Sequence, residues 1–140
     1  MAASKLNTSP YVIEIKDLEK EFSDTGTKTL SGIHLRLNPG EFVFLTGASG
    51  SGKTTLLKMI MGLSRPSRGE IFVMGQPVHK MGDSSRRSLR RDIGIILQDH
   101  RLLNSLNVSE NIALNLTWTS LSGEAKRKRV AEMLQIMDLT

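Results

Sequence analysis

The residues from Gly47 to Thr54 read GASGSGKT, and here the residue types and their spacing first indicate chemistry. They match the pattern G-x-x-x-x-G-K-[ST] at every fixed position. The glycines let backbone N–H groups turn inward around a pyrophosphate. Lys53 supplies a positive charge for the β- and γ-phosphates, and the Thr54 hydroxyl is placed for Mg²⁺. The pattern therefore predicts a cradle for a nucleoside triphosphate; the alternative is a glycine-rich turn that ends in Lys-Thr without function.

The segments on either side of this loop support the first interpretation. Residues 42–46, FVFLT, form a continuous apolar run, as expected for a strand that is covered on both faces of a parallel sheet. Residues 54–61 are helical in character, and Gly62 ends them. A helix that starts at the loop adds its free N–H groups and the positive end of its dipole. A strand, the loop and a helix thus follow one another in the order that phosphate binding requires.

Strand and helix patterns alternate along the rest of the chain. Apolar residues alternate with polar ones or form short runs in the predicted strands, and Asn107 and Ser122 are predicted helix caps, with Glu124 in the first turn after Ser122. This order predicts an α/β domain that begins with antiparallel strands. The further predicted strands are 11–18, 33–37, 70–75 and 93–97, and the further helices are 84–91, 107–116 and a last one from Ser122.

The composition is that of a soluble globular chain. Its 140 residues are 39% hydrophobic and 24% charged, which suits one domain. There is no cysteine, so disulfides and thiolate metal sites are excluded. The N-terminus lacks the apolar run of a signal peptide, and no apolar run approaches the length of a membrane span. We expect a disordered tail over residues 1–10 and a single domain over residues 11–140.

The net charge of +5 is concentrated in two clusters. Such clusters are able to hold nucleic acid or anionic lipid, but solvated helix faces are the favoured interpretation. One Trp and one Tyr offer little stacking surface, so no nucleic-acid partner is expected. Three isolated histidines have no metal-like spacing and are predicted to be surface residues. The clusters are Arg86, Arg87, Arg90 and Arg91, and Lys126, Arg127, Lys128 and Arg129; the histidines are His34, His79 and His100.

From about residue 11 the chain resembles the N-terminal part of an ABC transporter ATP-binding subunit. The resemblance rests on GASGSGKT, on the aromatic residue of DLEKEF (Phe22) and on the glutamine of IGIILQDH (Gln98). In that family the aromatic residue stacks on adenine, and the glutamine reaches Mg²⁺ and the attacking water. The resemblance therefore implies ATP and Mg²⁺ as ligands, with Gln98 catalytic and both Thr54 and Gln98 at the metal. The implied nucleotide contacts are Phe22, Gly47, Ala48, Ser49, Gly50, Ser51, Gly52, Lys53, Thr54 and Thr55.

The fold that the resemblance implies is a P-loop NTPase of the ABC type. It would combine antiparallel N-terminal strands with a mostly parallel core sheet, and a helical subdomain would begin near residue 99. The chain would correspond to roughly the first two-thirds of one such subunit.

Within the family, residues 39–60 and 89–103 are similar to the FtsE group of cell-division ATPases. Asp99 and the Arg90–Arg91 pair favour this group over the lipoprotein-release ATPases of the LolD type, which stay the alternative. The resemblance implies that MgATP binding and hydrolysis drive an integral-membrane partner of the FtsX type through the glutamine-loop region. It also implies a homodimer that lies in the cytoplasm, peripheral to the inner face of the plasma membrane.

Residues 121–130, LSGEAKRKRV, are similar to the family's signature sequence, which clasps the ATP of the opposite subunit. Residues 121–123 lie only 23 to 25 positions after Gln98, too close for the intervening helical subdomain. The apolar residues that follow recur with helical spacing, and Leu139 stands where a catalytic Glu would follow Asp138. We therefore predict a capped helix start here, and a chain that ends before the signature, the Mg²⁺-binding Asp and the catalytic Glu. A nucleotide-binding module without turnover is the alternative function for such a chain.

Overall fold

The computed structural model describes residues 9–22, 27–96 and 102–139. The chain divides into two compact units, Met1–Gly94 and Ile95–Thr140, called here the first and the second unit. None of the helices in the described ranges is long and apolar enough to cross a membrane.

The first unit contains a four-stranded antiparallel sheet in the order β2-β1-β3-β4. The predicted antiparallel start of the fold is therefore confirmed, and the predicted helices at 54–61 and 84–91 are confirmed to within a residue at each end. The elements are β1 (Ile13–Phe22), β2 (Thr27–Leu37), α1 (Lys53–Ile60), β3 (Arg68–Val73), β4 (Gln76–Pro77), a 3₁₀ turn (Val78–Lys80) and α2 (Asp83–Arg91).

Strand β1 contains a bulge that determines which side chains enter the core. The pairing of β1 with β2 shifts between Ile15 and Leu18, and Asp17 has a φ of 45°. The extra residue puts both Ile15 and Leu18 into the core although they are three positions apart. On the neighbouring strand, Gly69 has a φ of 83°, and a Cβ there would run into the backbone carbonyl of Asp17. Only glycine fits opposite this bulge.

The core of the first unit lies between the sheet and helices α1 and α2. Strands contribute Ile15, Ile71 and Val73, α1 contributes one apolar face, and α2 contributes Leu89. The completely buried side chains are those of Ile15, Leu18, Met59, Ile71 and Leu89.

Two predicted strands are not formed. Residues 42–46 are irregular, and Phe42 is 84% exposed; residues 93–96 also lack strand structure, and Ile96 is 96% exposed. The last residue of the predicted 93–97 strand lies outside the described residues. A strand needs a hydrogen-bonding neighbour, and none of the described residues pairs with either segment. The described part of the chain therefore contains no parallel pairing.

The turn before the first of these segments is closed by Asn38 and Glu41. The Asn38 side chain and its backbone N–H both donate to the Glu41 carboxylate, each at 2.7 Å. These hydrogen bonds, the side-chain one first, lower the pKa of Glu41 below its ordinary value.

The second unit contains the helices α3 (Val108–Leu114) and α4 (Gly123–Ile136). Asn107 caps α3: its Oδ1 accepts from Glu110 N at 2.9 Å, and the Glu110 carboxylate accepts from Asn107 N at 2.8 Å. Ser122 caps α4 by accepting from Ala125 N at 3.2 Å. Both predicted caps are confirmed, and LSGEAKRKRV is the capped start of a helix.

Candidate nucleotide-binding site

Helix α1 begins directly at the end of the predicted phosphate loop, because Gly52 is its N-cap. Gly52 has a φ of 90° and is buried against strand β2. A Cβ on Gly52 would lie 2.7 Å from Leu30 Cδ2 and 3.1 Å from the Thr29 carbonyl oxygen. Glycine is therefore required here both for backbone conformation and for space. This contact fixes the N-terminus of α1 on the sheet.

The loop itself turns on two further glycines. Gly47 and Gly50 have φ values of 150° and 78°, and Ser51 N donates to the Ala48 carbonyl at 3.2 Å. The φ of Gly47 favours glycine, whereas an added Cβ would meet only Ser51 Oγ, at 2.8 Å, a hydroxyl that is able to rotate away. The turn leaves the loop exposed from residue 47 to residue 51.

The Lys53 ammonium lies across the mouth of the loop. Its Nζ donates to the carbonyl oxygens of Gly47 and Ala48, both at 2.7 Å, and is 3.4 Å from Ser51 Oγ. A cation and a helix N-terminus are thus directed at the same space, which is the arrangement that an anion requires.

The first turn of α1 supplies backbone donors to this space. Leu56 N donates to Gly52 O at 2.9 Å and starts the helical hydrogen-bond pattern. The N–H groups of Lys53, Thr54 and Thr55 come before it and have no acceptor within the helix. The exposed Thr54 hydroxyl and the half-buried Thr55 are in the same turn. Backbone donors, the Lys53 charge and the glycine turns together fit a pyrophosphate.

A divalent metal has fewer preformed ligands here. Among the described residues, no group of three His, Asp or Glu side chains is placed to hold a metal ion. The hydroxyl of Thr54 is available to Mg²⁺, which usually adds only one or two protein ligands to phosphate oxygens and water. Gln98, the second predicted metal contact, lies outside the described residues.

Phe22 is at the end of β1, where the backbone pairs with Thr27 of β2. Its ring is 43% exposed, and Lys20 Nζ lies 5.1 Å from the ring centroid. The same part of β2 carries Thr29 and Leu30, which contact Gly52. The β1–β2 hairpin therefore brings the predicted adenine contact and the phosphate loop to one region of the first unit.

Two side chains differ from their predicted surface positions. His79 is largely buried: its Nδ1 is within hydrogen-bond distance of the Ile71 backbone, and its ring packs edge-on against Phe72. Arg86 is also buried, at 9% exposure. Arg86 precedes the buried Leu89 by three residues, so both lie on the inner face of α2. This spacing is visible in the sequence, but the charge of Arg86 favoured a surface position.

The comparisons with known proteins agree with this geometry. The profile described as ABC transporter matches residues 30–140. The chain belongs to the ABC transporter family. The fold class predicted from the sequence is thereby confirmed, although the described strands pair only in antiparallel fashion.

The chain is similar to several members of this family. It is 42% identical over 114 residues to the cell division ATP-binding protein FtsE of Escherichia coli K12, a match that covers 81% of the chain and 51% of FtsE. It is 35% identical over 133 residues to the methionine import ATP-binding protein MetN of Mesorhizobium japonicum, covering 95% of the chain and 35% of MetN. The chain thus spans about half the length of FtsE in this match.

Solved structures give the same family. The dimeric, post-hydrolysis ATP-binding cassette MJ0796 bound to ADP and Pi superposes with a TM-score of 0.80 at 32% identity, over 91% of this chain and 58% of that one. CbiO1 from Clostridium perfringens, part of the cbiONQ transporter complex, gives a TM-score of 0.77 at 29% identity.

Proposed function

We propose that this chain is part of the ATP-binding subunit of an ABC-type membrane complex, and that residues 47–55 hold the phosphates of ATP. The observation that carries the proposal is the position of Lys53, whose Nζ lies 2.7 Å from two carbonyl oxygens of the loop. The ATP-binding cassette MJ0796, on which this chain superposes, was solved with bound ADP and Pi, which supports a nucleotide as the ligand.

Each part of the proposed site has a separate task. Lys53 and the N–H groups at the start of α1 bind and orient the β- and γ-phosphates, and they stabilise charge there without covalent chemistry. Thr54 and Gln98 would hold Mg²⁺, which when bound neutralises charge on those phosphates. Phe22 would stack on the adenine ring. Its side chain is partly exposed at the end of β1, and Gly52 packs on the neighbouring strand β2.

For the whole protein we propose ATP hydrolysis by a homodimer that acts on an integral-membrane partner of the FtsX type in cell division. The 42% identity to FtsE supports this role, and the dimeric MJ0796 structures support the assembly. The partner would contact the glutamine-loop region, and the subunit would lie on the inner face of the plasma membrane. Residues 11–140 would form the ATP-binding domain, with its helical part starting near residue 99.

Methionine import is a second candidate function, because the similarity to MetN covers 95% of the chain. The two candidate functions are distinguished by which deletion strain the whole protein complements. Expression in Escherichia coli cells that lack FtsE should restore division if the first proposal is correct. Rescue of methionine uptake in cells that lack MetN, without rescue of division, would instead establish the second.

The substitution Lys53→Ala tests the phosphate site. The lost charge-assisted hydrogen bonds are expected to weaken MgATP binding by about tenfold or more. Nucleotide titration of both proteins measures this. Lys58→Ala is the matched control, because Lys58 is an exposed lysine on the same helix and should leave the affinity unchanged. Equal affinities for Lys53→Ala and the parent chain would remove Lys53 from the site.

Turnover is tested separately from binding. We propose that residues 1–140 bind MgATP weakly and release no phosphate, since the family's Mg²⁺-binding Asp and catalytic Glu are not among them. Phosphate release is measured for this chain and for a longer chain that includes the downstream family motifs. Equal turnover by the two would contradict this proposal and restore LSGEAKRKRV as a working signature.

A further inference from the structure

The first unit contains a basic cavity at the end of α1 opposite to the phosphate loop. Eight residues of helix, about 12 Å, separate the two ends of α1. The cavity has a volume of 240 Å³ and is called here the arginine pocket. Its lining residues are Gly62, Leu63, Asp83, Arg86, Arg87 and Arg90.

Arg86 is a fixed wall of this pocket. Its Nε and Nη2 donate to the Met81 carbonyl oxygen at 3.1 and 2.9 Å, which holds the guanidinium in place. The stem of Arg86 packs on Gly62, where an added Cβ would lie 3.2 Å from Arg86 Cγ. The remaining nitrogen, Nη1, is 3.9 Å from Asp83 Oδ1, which is too far for a hydrogen bond. One nitrogen of a buried, immobilised guanidinium is therefore still able to donate.

Arg87 and Arg90 add two positive charges to the same pocket. They are three residues apart on α2, so their side chains lie side by side on the helix. Within the described ranges, neither side chain makes an ion pair or a hydrogen bond. Asp83 is the single acidic residue in the lining, so three arginines and one carboxylate line the pocket.

The two helix ends at the pocket oppose each other. The C-terminus of α1 contributes partial negative charge, and the N-terminus of α2 contributes partial positive charge. The N-cap of α2, Gly82, offers no side-chain acceptor to the first turn. The arginines therefore determine the sign of the potential in the pocket, and an anion with several oxygen acceptors fits it.

We propose that the arginine pocket binds a phosphate group, with Arg86 Nη1, Arg87 and Arg90 as donors. Guanidinium groups match phosphate oxygens in geometry and in charge. The phosphate belongs either to the headgroup of an anionic phospholipid or to a free phosphate. This site goes beyond the proposed nucleotide site, and its occupancy does not depend on hydrolysis.

The test uses the full chain carrying Lys53→Ala, so that the phosphate loop contributes little. One arm titrates inorganic phosphate and follows the arginine side-chain signals by NMR. The other arm measures co-sedimentation with phosphatidylglycerol–phosphatidylcholine vesicles and with pure phosphatidylcholine vesicles. Binding to the mixed vesicles alone identifies a lipid headgroup, and binding to inorganic phosphate alone identifies a free phosphate.

Three variants locate the binding. Arg87→Ala with Arg90→Ala is expected to weaken binding about tenfold. Arg127→Ala with Lys128→Ala removes the same two charges from exposed positions of α4 and should leave binding nearly unchanged. Asp83→Asn removes the competing carboxylate 3.9 Å from Arg86 Nη1, and we expect it to strengthen binding several-fold.

Two outcomes would overturn the proposal. Equal losses in the two double variants would show that net charge, not the pocket, attracts the phosphate. Absence of binding by the Lys53→Ala chain in both arms would show that the pocket holds no phosphate. Circular dichroism of each variant confirms that the fold is retained, and the gain expected for Asp83→Asn does not depend on any loss of stability.

Discussion

The helix that follows the phosphate loop and the helices of the second unit differ in what stabilises them. Helix α1 buries Leu56, Met59 and Ile60 in the core of the first unit. Helices α3 and α4 have no buried residue among those that the structure describes. The first unit is held by apolar burial, which is non-directional and large. In the described part of the second unit, half-buried apolar contacts are combined with hydrogen bonds at helix caps.

Asn111 shows how local the second unit's interactions are. Its Oδ1 accepts from Leu103 N at 3.0 Å. Its Nδ2 is within hydrogen-bond distance of the carbonyl oxygens of Leu103, Leu106 and Asn107, at 3.2, 3.1 and 3.0 Å. A single amide thus holds the segment before α3 onto that helix. Helix α1, which carries the phosphate site, thus rests on a buried apolar layer, whereas residues 103–107 are joined to α3 by the hydrogen bonds of Asn111 and of the Asn107 cap.

Replacement of buried side chains should give the largest difference between the units. Ile71→Ala removes a side chain with no exposed area, and we expect the free energy of unfolding to fall by about 2–5 kcal/mol. The matched change in the second unit is Leu134→Ala on α4, where the side chain is half-buried and the expected loss is about 1 kcal/mol. Denaturant unfolding measures the free energy of unfolding of both variants. Equal losses would show that the two units do not differ in how much apolar burial stabilises them.

Glycine substitutions sharpen the description of the first unit. Gly69→Ala places a methyl group against the Asp17 carbonyl, and the expected destabilisation is about 3 kcal/mol or more. Gly40→Ala is the control, because Gly40 has a φ of 80° but open space around its Cα. Strain alone should cost about 1–2 kcal/mol there. Thermal melts that rank the two variants equally would show that the β1 bulge yields easily.

Asn111→Asp tests the second unit with almost no change in size. The carboxylate cannot donate, and three carbonyl oxygens would face its negative charge. Hydrogen exchange at Leu103 and Leu106 should accelerate, with a local loss of about 1–3 kcal/mol. Exchange in strand β3 of the first unit should not change. Asn115→Ala is the control, since Asn115 is an exposed residue that follows α3. Unaltered exchange at Leu103 would show that Asn111 does not hold this segment on α3.

The smallest expected effect is that of pH on the turn at Asn38. Because the pKa of Glu41 is lowered in the folded chain, its contribution to stability is present at higher pH and is lost as pH falls through that pKa. Asn38→Ala should bring the pKa of Glu41 back towards its ordinary value. NMR titration of the Glu41 carboxyl in both proteins measures the change, and identical midpoints would contradict the assignment to Asn38.

The sequence predicts best the features that depend on neighbouring residues. Asn107 and Ser122 are caps by local hydrogen bonding, and the glycines of the phosphate loop are specified by backbone conformation. The strand prediction for residues 42–46 was wrong. An apolar run shows that a strand is favourable, but it does not show which segment would pair with that strand. Arg86 was missed for a similar reason: its burial depends on Gly62, which is distant in sequence and lies beside it only in the fold.

The contact of Gly52 with Thr29 and Leu30 has a consequence for ligand length. It fixes the phosphate loop on strand β2, which pairs with the end of β1 at Phe22. The distance between the phosphate loop and the Phe22 ring is therefore set by the β1–β2 pairing. Under the proposed site, a ligand that reaches both ends must have a base and a phosphate chain separated by that span. A nucleotide without a β-phosphate would then reach only one of the two ends. The β1–β2 hairpin would in this way favour nucleotides that carry at least two phosphates.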